Sequence, residues 1–344
     1  MQPTTVLVTG DRGFIGTYIV EELLSQGHTV IGIDNDSKYG PQSKFYDASP
    51  NYVHYTFDVR DEACLFAVMN YHRIKRFIFG AALIGGIPYF HRFPYTLLAT
   101  NEQILASEYN AAIRALEAYG VDRALVISSS MVFENAWGWP SYEGDELNCP
   151  PPSSSYGFQK LSCEYFARAA FDEFGLQYTI VRPFNCVGIG EKRASVDHEV
   201  QSGNVKLAMS HVVPDLIQKC AKGQMPLRIL GDGNQVRHYT YGADLANGIV
   251  TALFHPNAVN NDFNLSSPVS TTVLELASKI WNWYHPNEEL QIEHDEPYPY
   301  DVKMRVPSTD KAKSVLGWEA KTSLDEMLDI VIPWVDRQVK EGKI

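Results

Sequence analysis

The 344-residue sequence has few cysteines, a deficit of positive charge and no long apolar run, and each shortage removes a class of protein. Cys64, Cys149, Cys163, Cys186 and Cys220 are odd in number and never stand in a CxxC pair. Neither a disulfide framework nor a zinc site is indicated, and no metal is expected. Lysine and arginine total 29 against 41 aspartates and glutamates, a formal net charge of −12. That balance argues against a nucleic-acid binder, which would carry a basic face. No uninterrupted apolar run approaches the ~18 residues that a membrane span needs. A strand-like segment, Thr5-Val-Leu-Val-Thr9, begins almost at Met1 and leaves no room for a removable signal peptide, so a cytoplasmic protein is expected. Repeats, low-complexity tracts and long linkers are missing as well. What is present is 45% hydrophobic and 20% charged, ordinary for a chain that buries a full core.

The first half alternates short apolar runs with amphipathic stretches. Strands are predicted at Val6–Thr9, Val30–Ile33, Val53–Phe57, Arg76–Phe79, Ala124–Ser128 and Tyr178–Arg182. Between them, helical spacing runs from Phe14 to Leu24, over Glu62–Tyr71, over Thr100–Ala118 and over Tyr156–Phe174. Buried strands alternating with helices imply parallel pairing, with the sheet covered on both faces: a doubly wound α/β fold of Rossmann type. After Arg182 the pattern loosens into a smaller, mixed α/β lobe. It has helices near Val213–Lys222, Asp244–Phe254, Thr272–Tyr284, Asp310–Leu316 and Leu324–Val339, and a strand at Phe263–Leu265. The expected division is a dinucleotide-binding domain of residues 1–183 and 234–264, with a substrate lobe of 184–233 and 265–344. A cleft between them is the default ligand site.

Gly10-Asp-Arg-Gly13-Phe-Ile-Gly16 lies between the first strand and the first helix. Three glycines can simply shape a turn. Opening the first βα unit, they also let a pyrophosphate approach the backbone at a helix N-terminus. Asp34 closes the second strand, where a carboxylate accepts ribose hydroxyls and repels a 2′-phosphate, which favours NAD. Arg12, inside the turn, pulls toward NADP. Asp58, after the third strand, suits the adenine amino group, or equally a helix N-cap. The cofactor site read this way comprises Gly10, Arg12, Gly13, Phe14, Ile15, Gly16, Asp34, Asn35, Asp58 and Val59.

YxxxK occurs twice. Tyr71-His-Arg-Ile-Lys75 precedes the fourth strand, at the sheet edge away from ligands, and is expected to be inert. Tyr156-Gly-Phe-Gln-Lys160 opens a helix after the strand that ends in Ser128-Ser129-Ser130. Residues four apart share a helix face, so Tyr156 and Lys160 would point together at the cleft, opposite the serines. A tyrosine phenol, with an ordinary pKa of ~10, is a poor base at neutral pH. A neighbouring ammonium and a positive nicotinamide ring would favour its phenolate, which can remove the proton of a secondary alcohol during its oxidation.

These motifs together resemble the extended short-chain dehydrogenase/reductase family of nucleotide-sugar epimerases and dehydratases. The likeness includes Phe79-Gly-Ala-Ala82 and Asn101. It continues through Arg182-Pro-Phe-Asn185-Cys-Val-Gly188, Gly231-Asp-Gly-Asn-Gln-Val-Arg237 and Phe263-Asn-Leu-Ser-Ser267 to Arg305, nearly the whole chain. The resemblance implies that Ser129, Tyr156 and Lys160 are catalytic. It adds Ala81, Ala82, Asn101, Tyr156 and Lys160 to the NAD site, and puts Asn185, Arg237 and Arg305 at the nucleotide diphosphate. Gly86, Ser129, Ser130 and His211 complete the substrate site that it implies.

Family 4,6-dehydratases carry an Asp-Glu pair after the catalytic Ser/Thr, where this chain has Ser130 and Met131. Enzymes epimerising at C3 and C5 carry a cysteine where Met131 stands. Both comparisons favour C4 epimerisation through a transient 4-keto sugar with NAD recycled. His211 matches an acid/base histidine of related epimerase/reductases, which keeps C3/C5 epimerisation or 4-keto reduction as the alternative, followed by dehydration or decarboxylation. A non-catalytic NAD-binding sensor is the reading from another class. The apolar stripe Ile104, Leu105, Tyr109, Ala112, Ile113 and Leu116, with a second of Leu161, Tyr165, Phe166 and Ala169, is mostly core. The resemblance also implies that the two helices bearing these stripes build a homodimer interface. The expected partner is a nucleotide-diphosphate sugar; neither a nucleic acid nor a membrane is expected.

Overall fold

Seven parallel strands form the central sheet of the computed structural model, which describes residues 2–85, 92–191, 200–202, 205–207, 211–296 and 302–344. They are β1 (Thr5–Thr9), β2 (Thr29–Asp34), β3 (Tyr52–Thr56), β4 (Arg76–Phe79), β5 (Arg123–Ile127), β6 (Tyr178–Pro183) and β7 (Asn261–Leu265). The order is β7-β6-β5-β4-β1-β2-β3, and each neighbouring pair is parallel. The chain winds outward from β1 in both directions, so a crevice opens at the C-terminal ends of β1 and β4.

Alternation along the strands sends side chains to two separate cores. Val6 and Val8 of β1 face α1 (Phe14–Ser25) and α6 (Gly242–Phe254), packing with Ile19, Leu23, Leu245 and Ile249. Leu7, from the opposite face, joins Ile31, Phe77 and Phe79 beneath α2 (Glu62–His72), α3 (Pro94–Tyr119) and α4 (Ser155–Phe174). Their inner faces supply Leu65, Leu105, Ala112 and Ala167.

α3 begins six residues before the predicted start. Pro94 occupies the first helical position, where its missing N–H costs nothing and its fixed φ suits the helix. The remaining sheet strands and helices lie within one or two residues of the predicted spans, and β7 pairs with β6 as part of the main sheet.

A third core belongs to the C-terminal elements. α5 (Val212–Ala221), α7 (Val273–Tyr284) and α8 (Leu324–Lys340) bury Leu216, Ile217, Trp281, Val331 and Val335 together. Two-stranded ribbons connect this region to the sheet: Cys186–Val187 pairs with Thr240–Tyr241, and Val236–His238 with Ser270–Thr272. Among the described residues, no helix is long and apolar enough to cross a membrane.

Candidate active site

The glycine turn leaves β1 with Gly10 at φ +70°, a left-handed conformation that glycine adopts without strain. A Cβ at Gly10 would lie 2.9 Å from the Gly80 carbonyl oxygen, and one at Gly16 would lie 2.0 Å from the Gly10 carbonyl oxygen. Backbone therefore packs on backbone here. The N-terminus of α1, carrying Phe14 and Ile15, has no side-chain cap and no acidic residue in its first turn. Its N–H groups and positive dipole end suit a phosphate. The cradle fits a dinucleotide pyrophosphate.

Asp34 ends β2 and accepts N–H bonds from Asp36 (2.8 Å) and Arg12 (3.3 Å); burial pushes its carboxyl pKa up, against those two bonds. The Arg12 side chain is committed elsewhere. Its guanidinium pairs with Asp47 at 2.9 Å and donates to the Gln42 carbonyl, so the residue that pulled toward NADP braces the loop before β3. Asn35 donates to Asp58 at 3.1 Å, and Arg60 grips the same carboxylate, which holds Asp58 down to about 2. The α2 N-cap is Asp61, which removes the capping alternative for Asp58. Val59 is buried and its carbonyl accepts the Ser107 hydroxyl.

Ala81 and Ala82 follow β4. The amide of Asn101 clamps the same loop, donating to the Leu83 carbonyl at 3.0 Å and accepting its N–H at 2.7 Å. Asn101 thus shapes the loop after β4 through the backbone. Gly86 lies outside the described residues.

Beyond β5, the three serines diverge. Ser128 turns inward and donates to Glu164 at 2.6 Å. Ser129 caps a 3-10 turn, Ser130–Phe133, with its Oγ accepting the Met131 N–H at 3.2 Å. Tyr156 stands in the first turn of α4, and the Ser154 hydroxyl caps that helix by accepting the Gly157 N–H. Glu134 in turn accepts the Ser154 hydroxyl at 2.7 Å, tying the helix start to the end of the 3-10 turn. A Cβ on Gly157 would approach Pro152 Cβ to 2.6 Å and the Met131 carbonyl oxygen to 2.9 Å. Helix and turn are therefore in backbone contact, which holds Tyr156 beside the serine run.

Lys160, one turn further along the helix, is buried and donates from Nζ to the Ile127 carbonyl at 2.8 Å. The other YxxxK pair spans the end of α2 and the turn into the N-terminal end of β4, with Tyr71 79% exposed. That copy lies away from the crevice, as its place before β4 predicted.

Of the residues expected at the substrate, Asn185 adopts φ +37° and donates to the His238 carbonyl at 3.2 Å. Arg237 and Arg305 lie on adjacent segments, joined by the Arg305 N–H to Val236 carbonyl bond and the Val236–Met304 bridge. Arg237 is largely buried, with Nη1 donating to the Val236 carbonyl. His211 ends the loop before α5, and its Nδ1 lies 2.8 Å from Glu191.

Three structural supports escaped sequence reasoning. Buried Asp11, inside the glycine turn, accepts the Tyr52 hydroxyl and pairs with His54 at 3.0 Å, fastening the turn to β3. Gly32 makes room for it, since a Cβ there would lie 2.0 Å from its carboxylate. Arg182, wholly buried, bridges Glu164 (2.6 Å), Glu146 (2.8 Å) and Asp262 (2.7 Å) and locks α4 to β6 and β7. Glu108 interrupts the apolar stripe of α3, between Leu105 and Ala112, a charge at a core position that could have been noticed.

The sequence pattern of the NAD dependent epimerase/dehydratase family matches residues 6–266. The chain belongs to this family. Its similar proteins include UDP-glucose 4-epimerase of Lacticaseibacillus casei, 24% identical, with 96% of each chain covered. UDP-glucuronic acid decarboxylase 2 of Arabidopsis thaliana is 28% identical, over 95% of this chain and 67% of that one. Among solved structures, UDP-glucose 4-epimerase with UDP-glucose from Thermotoga maritima superposes with a TM-score of 0.79 at 27% identity, covering 97% of this chain and 99% of that one. The chain is therefore a member of a nucleotide-sugar epimerase and dehydratase family whose cofactor is NAD. Relatives that include both epimerases and decarboxylases leave the individual reaction to be argued from the site.

Proposed function

We propose that the chain is an NAD-dependent nucleotide-sugar epimerase that inverts C4 of the sugar through a transient 4-keto species. One observation carries the reading. Tyr156 and Lys160 stand one helical turn apart beside Ser129, while the next two positions hold Ser130 and Met131, neither able to move a proton to or from a sugar carbon. NAD, when bound, supplies the oxidant and then the reductant for the sugar carbon. The glycine turn from Gly10 to Gly16, Asp34 and the loop of Ala81 and Ala82 would hold it.

Tyr156 Oη accepts the proton of the sugar hydroxyl and later returns it to the oxygen of the 4-keto sugar, which has by then turned its other face. The Lys160 ammonium favours the phenolate that this requires. Ser129, oriented by the Met131 N–H, donates to the reacting sugar oxygen. Arg237 and Arg305 hold the diphosphate, with Asn185 beside them. On this reading, residues 1–183 and 234–264 bind NAD, residues 184–233 and 265–344 bind the nucleotide sugar, and the chain works as a homodimer through α3 and α4.

The test is incubation with a panel of nucleotide sugars in deuterated water, followed by NMR. C4 inversion without deuterium uptake is expected, because no ring C–H is exchanged with solvent. A second reading has an observation of its own: the Glu191 carboxylate beside His211 Nδ1 would orient that imidazole as an acid/base for C3 or C5 chemistry. Deuterium on those carbons, lost in His211→Asn, would establish it in place of C4 inversion.

A further inference from the structure

Glu108 is among the buried ionisable groups that the mechanism does not use. Glu108, in the middle of α3, has no exposed surface. Its Oε1 accepts the Thr9 hydroxyl at 2.6 Å, and Thr9 Oγ1 in turn accepts the N–H groups of Gly80 and Ala81 at 3.0 and 3.1 Å. The carboxyl group is thus wired to the last residue before the glycine turn and the first two after β4. Its other oxygen, Oε2, has no protein hydrogen-bond partner, and the same holds for Oε1 of buried Gln159. Both residues line a cavity of about 10 Å³, room for about one water, together with Lys160, Asn101, Ala81 and Ala82. The amide of Asn101 is taken up by Leu83, which leaves Lys160 as the cation in the cavity wall.

An ionised carboxylate in this setting would have a single donor for two oxygens, in an interior that penalises charge. A neutral carboxyl brings its own O–H, for which Gln159 Oε1 is an acceptor in the same cavity, directly or through a water. Burial pushes Glu108 up to about 8, with the Thr9 bond and the Lys160 charge opposing the rise. Of the other titratable groups packed around it, Glu102 is also pushed up by burial, with its Ser162 bond opposing the rise. Tyr109 on α3 and Cys163 on α4 are both driven alkaline by burial, while Glu164 is bonded to Arg182. β1, β4 and β5 present Thr9, Phe79, Val126 and Ile127.

We propose that Glu108 is a positioning residue held as a neutral acid beside Lys160, whose ionisation offsets the lysine charge that favours the Tyr156 phenolate. The proton released goes to solvent, and the carboxylate that remains makes Tyr156 a costlier phenolate. This rests on the reading of Tyr156 and Lys160 as the catalytic pair. It makes Glu108 a brake on turnover in alkaline solution.

Infrared difference spectra of the whole protein, wild type minus Glu108→Gln, should show the carbonyl stretch of a protonated carboxyl at pH 7, lost as pH rises past about 8. In a Lys160→Met background the loss should move alkaline by about 1 unit or more, since the opposing ammonium is gone. A carbon-13 titration of labelled glutamates in the wild-type chain reads the same midpoint without any substitution. Absence of the acid band at pH 7, or a midpoint indifferent to Lys160→Met, would overturn the proposal. In turnover, Glu108→Gln should keep its kcat on the alkaline side where wild type declines; parallel declines would count against it. The spectroscopic readouts need no turnover. A chain that converts no sugar would defeat the catalytic reading, while the protonation state of Glu108 would still be measured.

Discussion

Tyr156→Phe removes one oxygen atom and leaves the ring, so the contacts that hold α4 to the turn after β5 should survive. On the proposed mechanism, turnover should fall by about 10²–10⁴-fold, the usual contribution of a positioned acid/base, while NAD stays bound. Steady-state kinetics beside a fluorescence titration of the cofactor checks both halves. Tyr71→Phe is the internal control: the same motif before the N-terminal end of β4 should lose nothing measurable. A sensor that had given up catalysis would behave alike in both variants. At this scale the sequence was most readable where chemistry dictates residue type, as at the glycine turn, Asp34 and the Tyr156–Lys160 spacing. It was ambiguous at Arg12, because the partners that restrain it, Asp47 and Gln42, sit about thirty residues or more away and no local pattern links them.

Helices and strands of the sheet were legible because their apolar residues repeat at 3.6 or in continuous buried runs. Less legible was whatever depended on contacts between elements. Arg182 read as part of a motif, yet its guanidinium is the buried link between α4, β6 and β7, balanced by carboxylates that come from three distant segments. Glu164 is one of them and also anchors Ser128, so the same network sets the end of β5 against the helix that carries Tyr156. Removing the cation would leave Glu146 and Glu164 buried with Arg168 as their remaining shared partner. Arg182→Met should therefore cost about 3–5 kcal/mol of stability, far beyond a surface ion pair. Chemical denaturation should show a lower midpoint with the slope unchanged. A loss below about 1 kcal/mol, the range of an exposed pair, would mean that the neighbouring carboxylates simply take up protons.

Among the described residues, the three largest cores give the molecule its working geometry: two line the faces of one sheet, and the third belongs to the C-terminal elements. α3 and α4 each bury one side in the second of these cores, while α4 turns Phe158 and Tyr165, seven residues apart and so on one face, outward at 47% and 57% exposure. In the proposed homodimer, a second copy of the same face would cover these aromatics by two-fold symmetry. Light scattering should then give twice the 38.7 kDa chain mass. Tyr165→Glu puts like charges across such an axis and should shift the particle toward monomer at micromolar concentration. Tyr156 and Lys160 lie at the start of α4, braced by Glu134 and the Ile127 carbonyl of their own chain. The monomer should therefore still bind NAD, and any fall in its turnover would measure how far the partner helix stiffens α4. A wild-type chain that scatters as a single copy at that concentration would sink the dimer and leave the exposed aromatics without a cover.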